Sequence, residues 1–136
     1  MKVNQLVNST IVASCILLAA TTLRGEGPMN IWPDNSPELK GVDPNHFPTL
    51  QLFHGPKGVG KKPAILICPA GGYKFHAWDM EEVKWMNSLG LAVYVVNYRI
   101  PIRGPKGEYG ASEGYAHPAP LHDAQRAMRI IRKNAE

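Results

Sequence analysis

Residues 64–96 read AILICPAGGYKFHAWDMEEVKWMNSLGLAVYVV, and this stretch decides the fold. Ala64 to Cys68 is an unbroken apolar run of strand length, the pattern of a parallel strand covered on both faces. Pro69 to His76 is a Gly-containing loop. Asp79 can cap the following helix, with Glu82 three residues on, a capping box with Asp in place of Ser. Val83, Met86 and Leu89 mark the buried stripe of that helix, and Gly90 ends it. Leu91 to Val96 is a second apolar, β-branched strand. Two buried strands joined by a helix form a right-handed parallel unit, so the fold class is α/β.

Outward from this unit the pattern thins. Leu50 to Phe53 is expected as an edge strand, and residues 26–49, rich in Pro, Asn and Asp, as an N-terminal arm that wraps the surface. Tyr98 to His117 holds four Gly and two Pro with little period, a length of loop that is usually functional. From Pro118 onward Leu121, Ala124, Met128, Ile131 and Ala135 recur at three and four, predicting an amphipathic helix, with Arg126, Arg129 and Lys133 on a solvated flank. No internal repeat is found. Read this way the 50–136 domain runs β-α-β-α, and its 136th residue falls where a third parallel strand is due.

The first 25 residues read as a signal peptide. Lys2 precedes the apolar run Ile11 to Ala20, which is too short for a membrane span of roughly 20 residues. Export to a secreted or periplasmic location follows. Val12-Ala13-Ser14-Cys15 resembles a lipoprotein box, but Ile16, Leu17 and Leu18 continue the run beyond Cys15, so the cysteine reads as part of the signal core. Without that segment Cys68 is the one remaining cysteine, and a lone thiol forms no internal disulfide.

Composition excludes several classes. The chain is 44% apolar and 19% charged, too apolar for a disordered tail, and two Cys cannot make a disulfide-stapled scaffold. Its net charge of +4 is dispersed rather than gathered on one face, which argues against a nucleic-acid partner.

Two motif matches fail on context. Gly55 to Lys62 satisfies G-x-x-x-x-G-K, but Lys62 replaces the magnesium-binding hydroxyl and a strand follows where a helix is needed. Gly110-Ala111-Ser112-Glu113-Gly114 satisfies G-x-S-x-G, yet Arg103 to Tyr109 is no strand, and no histidine follows Asp123 to complete a triad. Ser112 is therefore not expected as a nucleophile. His117 and His122 are five apart, on different helix faces and without a third ligand, so neither a metal nor another cofactor is expected.

Pro69-Ala70-Gly71-Gly72-Tyr73, the helix from Asp79 to Asn87-Ser88-Leu89-Gly90, Val96-Asn97-Tyr98-Arg99, and His117 through Arg129 together resemble one family. Asn30-Ile31-Trp32-Pro33 extends the likeness to the arm. The chain resembles the N-terminal half of secreted α/β-hydrolase esterases allied to acetylxylan and feruloyl esterases. That resemblance implies a partial α/β-hydrolase fold, truncated before the nucleophile strand, and a Ser-His-Asp hydrolase in complete relatives, acting on acyl esters of plant polysaccharide.

It also implies that Gly71 and Gly72 supply oxyanion-hole N–H groups, with Tyr73 as a pocket wall. Ala70 and Glu82 stand where the family commonly has Gly. The nucleophile, acid and histidine do not fall on matching positions here, so this chain alone is expected to be inactive. Asp123, Arg126 and Arg99 are expected to pair ions and dock the helix. The strand at 64–68 is expected to expose an edge that invites pairing with another chain. The competing reading is a small exported α/β binding module that uses the 98–117 loop as its contact surface.

Overall fold

The computed structural model describes residues 27–55, 62–101 and 115–135. Strands β1 (Met29–Asn30), β2 (Thr49–Phe53), β3 (Ala64–Ile67) and β4 (Ala92–Asn97) form a sheet in the order β1-β2-β4-β3. The sheet is mixed. β3 and β4 run parallel with Ile67 opposite Val95, whereas β2 runs antiparallel to both β1 and β4. Helix α1 (Met80–Ser88) connects the parallel pair, and helix α2 (Ala119–Lys133) follows the long segment after β4.

Strict alternation along β4 builds two cores. Val93 and Val95 face α1, where they pack with Phe53 and Val83. Val96 faces the other way and packs with Ile31, Leu50, Ala127 and Ile131 of the α2 side. All three β4 valines are fully buried, which is why the strand reads as continuously apolar: each face of the sheet carries a helix. Burying one such side chain is worth roughly 1.5–3 kcal/mol.

At the α1 N-terminus half of the expected capping box forms: the Asp79 carboxylate accepts from the Glu82 N–H at 2.7 Å, while the Glu82 carboxylate does not return to the Asp79 N–H. Its buried face differs at the far end. The helix stops at Ser88, Leu89 becomes the C-cap and lies 60% exposed, and Gly90 turns the chain away at φ +86. Asn87 takes the buried place instead.

Three further expectations change. β2 is an interior strand, because Met29–Asn30 adds outside it as β1. The arm does more than wrap the surface: Ile31, Leu39, Val42 and Pro48 are buried, and Pro37–Leu39 and Pro44–His46 are short 3-10 helices. The buried face of α2 is rotated from the expected stripe. Leu121 is 47% exposed, while Pro120, Asp123, Ala127 and Ile131 are buried.

The rotation has an electrostatic cause, since α2 turns inward a carboxylate that apolar periodicity counts as a surface residue. Asp123 accepts from the Trp32 indole N–H at 2.7 Å and from Arg99 through its backbone N–H (2.9 Å), Nε (2.9 Å) and Nη2 (2.7 Å). The Arg99 and Asp123 side chains are 2% and 0% exposed. Arg99 also donates from Nη1 to the Glu38 carbonyl. Arg126 donates to the Ile31 carbonyl at 3.1 Å and lies 5.4 Å over the Trp32 ring. Arg99 and Asp123 therefore form the expected ion pair, whereas Arg126 docks the helix through a carbonyl and a ring rather than an ion pair, and together they tie the arm to the sheet.

Candidate active site

The carboxyl ends of β3 and β4 lie side by side, and the 68–79 and 98–118 segments both leave from that end. In open α/β sheets this is the end where ligands bind. Two features meet there, a glycine-bearing loop and a cleft of mixed polarity.

The loop is closed by a small antiparallel bridge, Ala70 N–H to Ala77 O at 3.2 Å and Ala77 N–H to Ala70 O at 2.8 Å. Inside it the Lys74 N–H donates to the Gly71 carbonyl at 3.0 Å. Gly71, Gly72 and Tyr73 follow one another at φ +130, +58 and +59. Gly71 is required twice over, because a Cβ there would sit 2.1 Å from the Phe75 carbonyl oxygen as well as in a left-handed backbone. Gly72 faces open space, so its requirement is conformational alone.

Among the described residues, the N–H groups of Gly71, Gly72 and Tyr73 have no acceptor, whereas those of Ala70, Lys74 and Ala77 are used within the loop. Three consecutive N–H donors without internal partners are open to solvent or to a ligand. The Tyr73 side chain is 57% exposed.

Behind the loop, Tyr98 and His76 act as a brace that sequence reasoning did not single out. The Tyr98 hydroxyl donates to the Pro69 carbonyl at 2.6 Å, fixing the start of the loop. Its ring meets Tyr73 edge-on with centroids 6.0 Å apart and His76 at 4.8 Å. His76 Nε2 lies 2.8 Å from the Tyr98 carbonyl oxygen. A carbonyl can only accept, so Nε2 carries a proton, and when the ring is neutral it is the Nε2–H tautomer. Burial lowers the His76 pKa below the ordinary imidazole value, opposed by that hydrogen bond. Burial also raises the Tyr98 pKa, with the Tyr73 and Cys68 charges adding to the effect, so the phenol keeps its proton for Pro69. The only advance signal was position: Tyr98 follows directly on β4, and His76 lies in the loop that leaves β3 at this face.

The cleft beside the loop has a volume of about 550 Å³ and is lined by Phe47, Thr49, His76, Asn97, Tyr98 and Tyr115 among others. Cys68 is exposed as a residue, but neighbouring atoms partly desolvate its thiol and raise the pKa above the ordinary value, the wrong direction for a thiolate nucleophile. Ser112 and most of the Gly55–Lys62 match lie outside the described residues. His117 and His122 are both exposed. Among the described residues no group of three His, Cys, Asp or Glu side chains could hold a metal ion, and no helix is long and apolar enough to cross a membrane.

No protein-family model matches the chain. It is similar to endo-1,4-beta-xylanase B of Butyrivibrio fibrisolvens, 30% identical over 112 residues that cover 78% of this chain and 15% of the xylanase. Among solved structures it is similar to an acetyl ester-xyloside bifunctional hydrolase from Caldicellulosiruptor lactoaceticus. That match has 29% identity and a TM-score of 0.62, and covers 86% of this chain and 39% of the hydrolase. A protein from Lactobacillus plantarum that carries a carboxylesterase assignment shares the fold at 15% identity and TM-score 0.51, over 84% of this chain and 39% of its own length. The chain thus spans well under half of each of these proteins. The mixed sheet, its two helices and these neighbours fit part of an α/β-hydrolase-like fold.

Proposed function

We propose that this chain is the oxyanion-loop half of an exported serine esterase that removes acyl groups from plant polysaccharide such as acetylated xylan. The observation that carries the reading is the run of unaccepted N–H groups at Gly71, Gly72 and Tyr73, held at the carboxyl end of a parallel strand pair. In ester hydrolysis negative charge gathers on the carbonyl oxygen as the tetrahedral intermediate forms. Fixed backbone donors stabilise that charge, and each one removed costs about 2.7–4 kcal/mol of barrier in measured cases. Gly71 and Gly72 are the donors in this reading, and Tyr73 is a wall of the acyl pocket.

The nucleophilic serine, its histidine and its acid belong to sequence outside these 136 residues. The sequence match to a xylanase and the structural match to an acetyl ester-xyloside hydrolase support the substrate class. Residues 1–25 act as the signal peptide and 26–49 as the arm. The free side of β3, which among the described strands pairs with β4 alone, receives the strand that leads to the nucleophile.

Acetate release from acetylated xylan, with fluorophosphonate labelling, tests this on the 136-residue chain and on the complete polypeptide of its reading frame. The expected result is release and one labelled serine in the complete polypeptide, and neither in the 136-residue chain. A labelled Ser112, or no release from either, would overturn the proposal.

A further inference from the structure

We infer that the cleft between the arm and β4 is the subsite for the sugar that carries the ester, with Thr49 and Asn97 as its reading pair. The inference rests on the esterase reading for what is cleaved, but the binding it describes does not require cleavage. Thr49 and Asn97 are Cα partners at the end of the β2–β4 ladder, so both side chains stand on rigid strands. Asn97 Nδ2 donates to Thr49 Oγ1 at 3.3 Å. Among the described residues that is the one hydrogen bond either side chain makes, which leaves the Thr49 hydroxyl proton, one Asn97 N–H and the Asn97 Oδ1 for a ligand.

A neutral set of two donors and an acceptor matches hydroxyl groups, each of which both gives and takes a hydrogen bond. An acyl chain in the same place would leave all three unpaired. Phe47, Tyr98 and Tyr115 add aromatic rings to the walls, the usual complement to a few placed polar groups in a small-molecule site. The walls are also held: the Tyr115 hydroxyl accepts from the Asp43 N–H at 2.9 Å, and Arg99 holds the arm through the Glu38 carbonyl. The charge of Arg99 is answered by Asp123; Lys74 and His46 also line the cleft, so competition by acetate is the measure of whether it takes an anion instead. Tyr98 belongs to the cleft and also fixes the start of the loop at Pro69, and Lys74 and His76 of that loop line the cleft, so a sugar seated here lies against the glycine loop.

The test is calorimetric titration of the folded protein with xylotriose, and separately with sodium butyrate as an acyl probe and sodium acetate as an anion probe. Xylotriose is expected to bind saturably and the two carboxylates not to compete with it. Thr49→Val, which keeps the side chain's shape, is expected to weaken binding about tenfold, the equivalent of one hydrogen bond. Asn97→Ala should weaken it at least as much, with thermal melts confirming that both variants fold. Absence of saturable xylotriose binding, wild-type binding by Thr49→Val, or competition by butyrate or acetate would overturn the inference. Ester hydrolysis is read separately. Xylotriose binding without hydrolysis in the complete polypeptide refutes the esterase reading alone, and hydrolysis without xylotriose binding refutes the subsite alone.

Discussion

Replacing Asp123 with Asn removes one charge from a side chain that accepts four hydrogen bonds while leaving its shape. Oδ1 accepts from Trp32 Nε1 and Arg99 Nη2, and Oδ2 accepts from the Arg99 N–H and Nε. An amide offers one oxygen, so two donors lose their acceptor and face an NH₂ group instead. The Arg99 guanidinium keeps its charge in a site where its side chain is 2% exposed. Two lost hydrogen bonds to a charged group amount to about 3–6 kcal/mol, and breaking one partner of a buried ion pair costs about 3–5 kcal/mol in general. The two routes agree.

Against a usual total of about 5–15 kcal/mol, that loss removes about a fifth of the stability at the least. In urea unfolding followed by circular dichroism, with a slope near 1.5 kcal/mol/M, the midpoint should fall by about 2–3 M at unchanged slope. The double variant Arg99→Met with Asp123→Leu carries no stranded charge, so it should lose less than the sum of the two single changes. A midpoint shift worth less than 1 kcal/mol for Asp123→Asn, or strict additivity in the double variant, would refute the assignment of Asp123 as the hub that joins arm, sheet and α2.

Gly71→Ala pushes a Cβ to within 2.1 Å of the Phe75 carbonyl oxygen and must deform the loop. In the complete polypeptide it should cut kcat for acetate release by about a hundredfold or more, with both cores still folded by circular dichroism. Gly72→Ala meets no atom and bears only the left-handed backbone penalty, about 1–2 kcal/mol, so urea melts should show the smaller defect there. Asp79→Ala removes the α1 cap and should cost about 1 kcal/mol in the same melts.

Stability should also fall as the pH drops. The His76 pKa is lowered by burial, so between its folded value and the unfolded value near 6.5 the unfolded chain binds more protons. Its contribution is whole above that window and gone below it. Urea midpoints measured from pH 7.5 to 5 should therefore decline less steeply in His76→Gln, and an unchanged slope would exclude His76 as a source.

How legible each part was in the sequence depends on the range of the forces that set it. β3, α1 and β4 were readable because strand hydrophobicity, the Asp79 cap and Gly90 act over a few residues. The Gly71-Gly72 pair was readable as a turn for the same reason. Periodicity misplaced the inward face of α2, since nothing near Asp123 in sequence announces that Arg99 and Trp32, 24 and 91 residues away, will neutralise and bind it. The arm misled similarly: Met29–Asn30 is too short to show a strand period and becomes one only against Leu50 and Thr49.

The amino-acid sequence by itself thus determined the α/β class, the parallel strand pair and the glycine loop between them, all products of local backbone preference and apolar patterning. Tertiary structure alone decided that the sheet is mixed, that the arm closes it, and that Tyr98 and His76 brace the loop while Thr49 meets Asn97 beside a cleft. Those arrangements depend on contacts between residues distant in the chain, whose hydrogen bonds exist only once the sheet has brought them together.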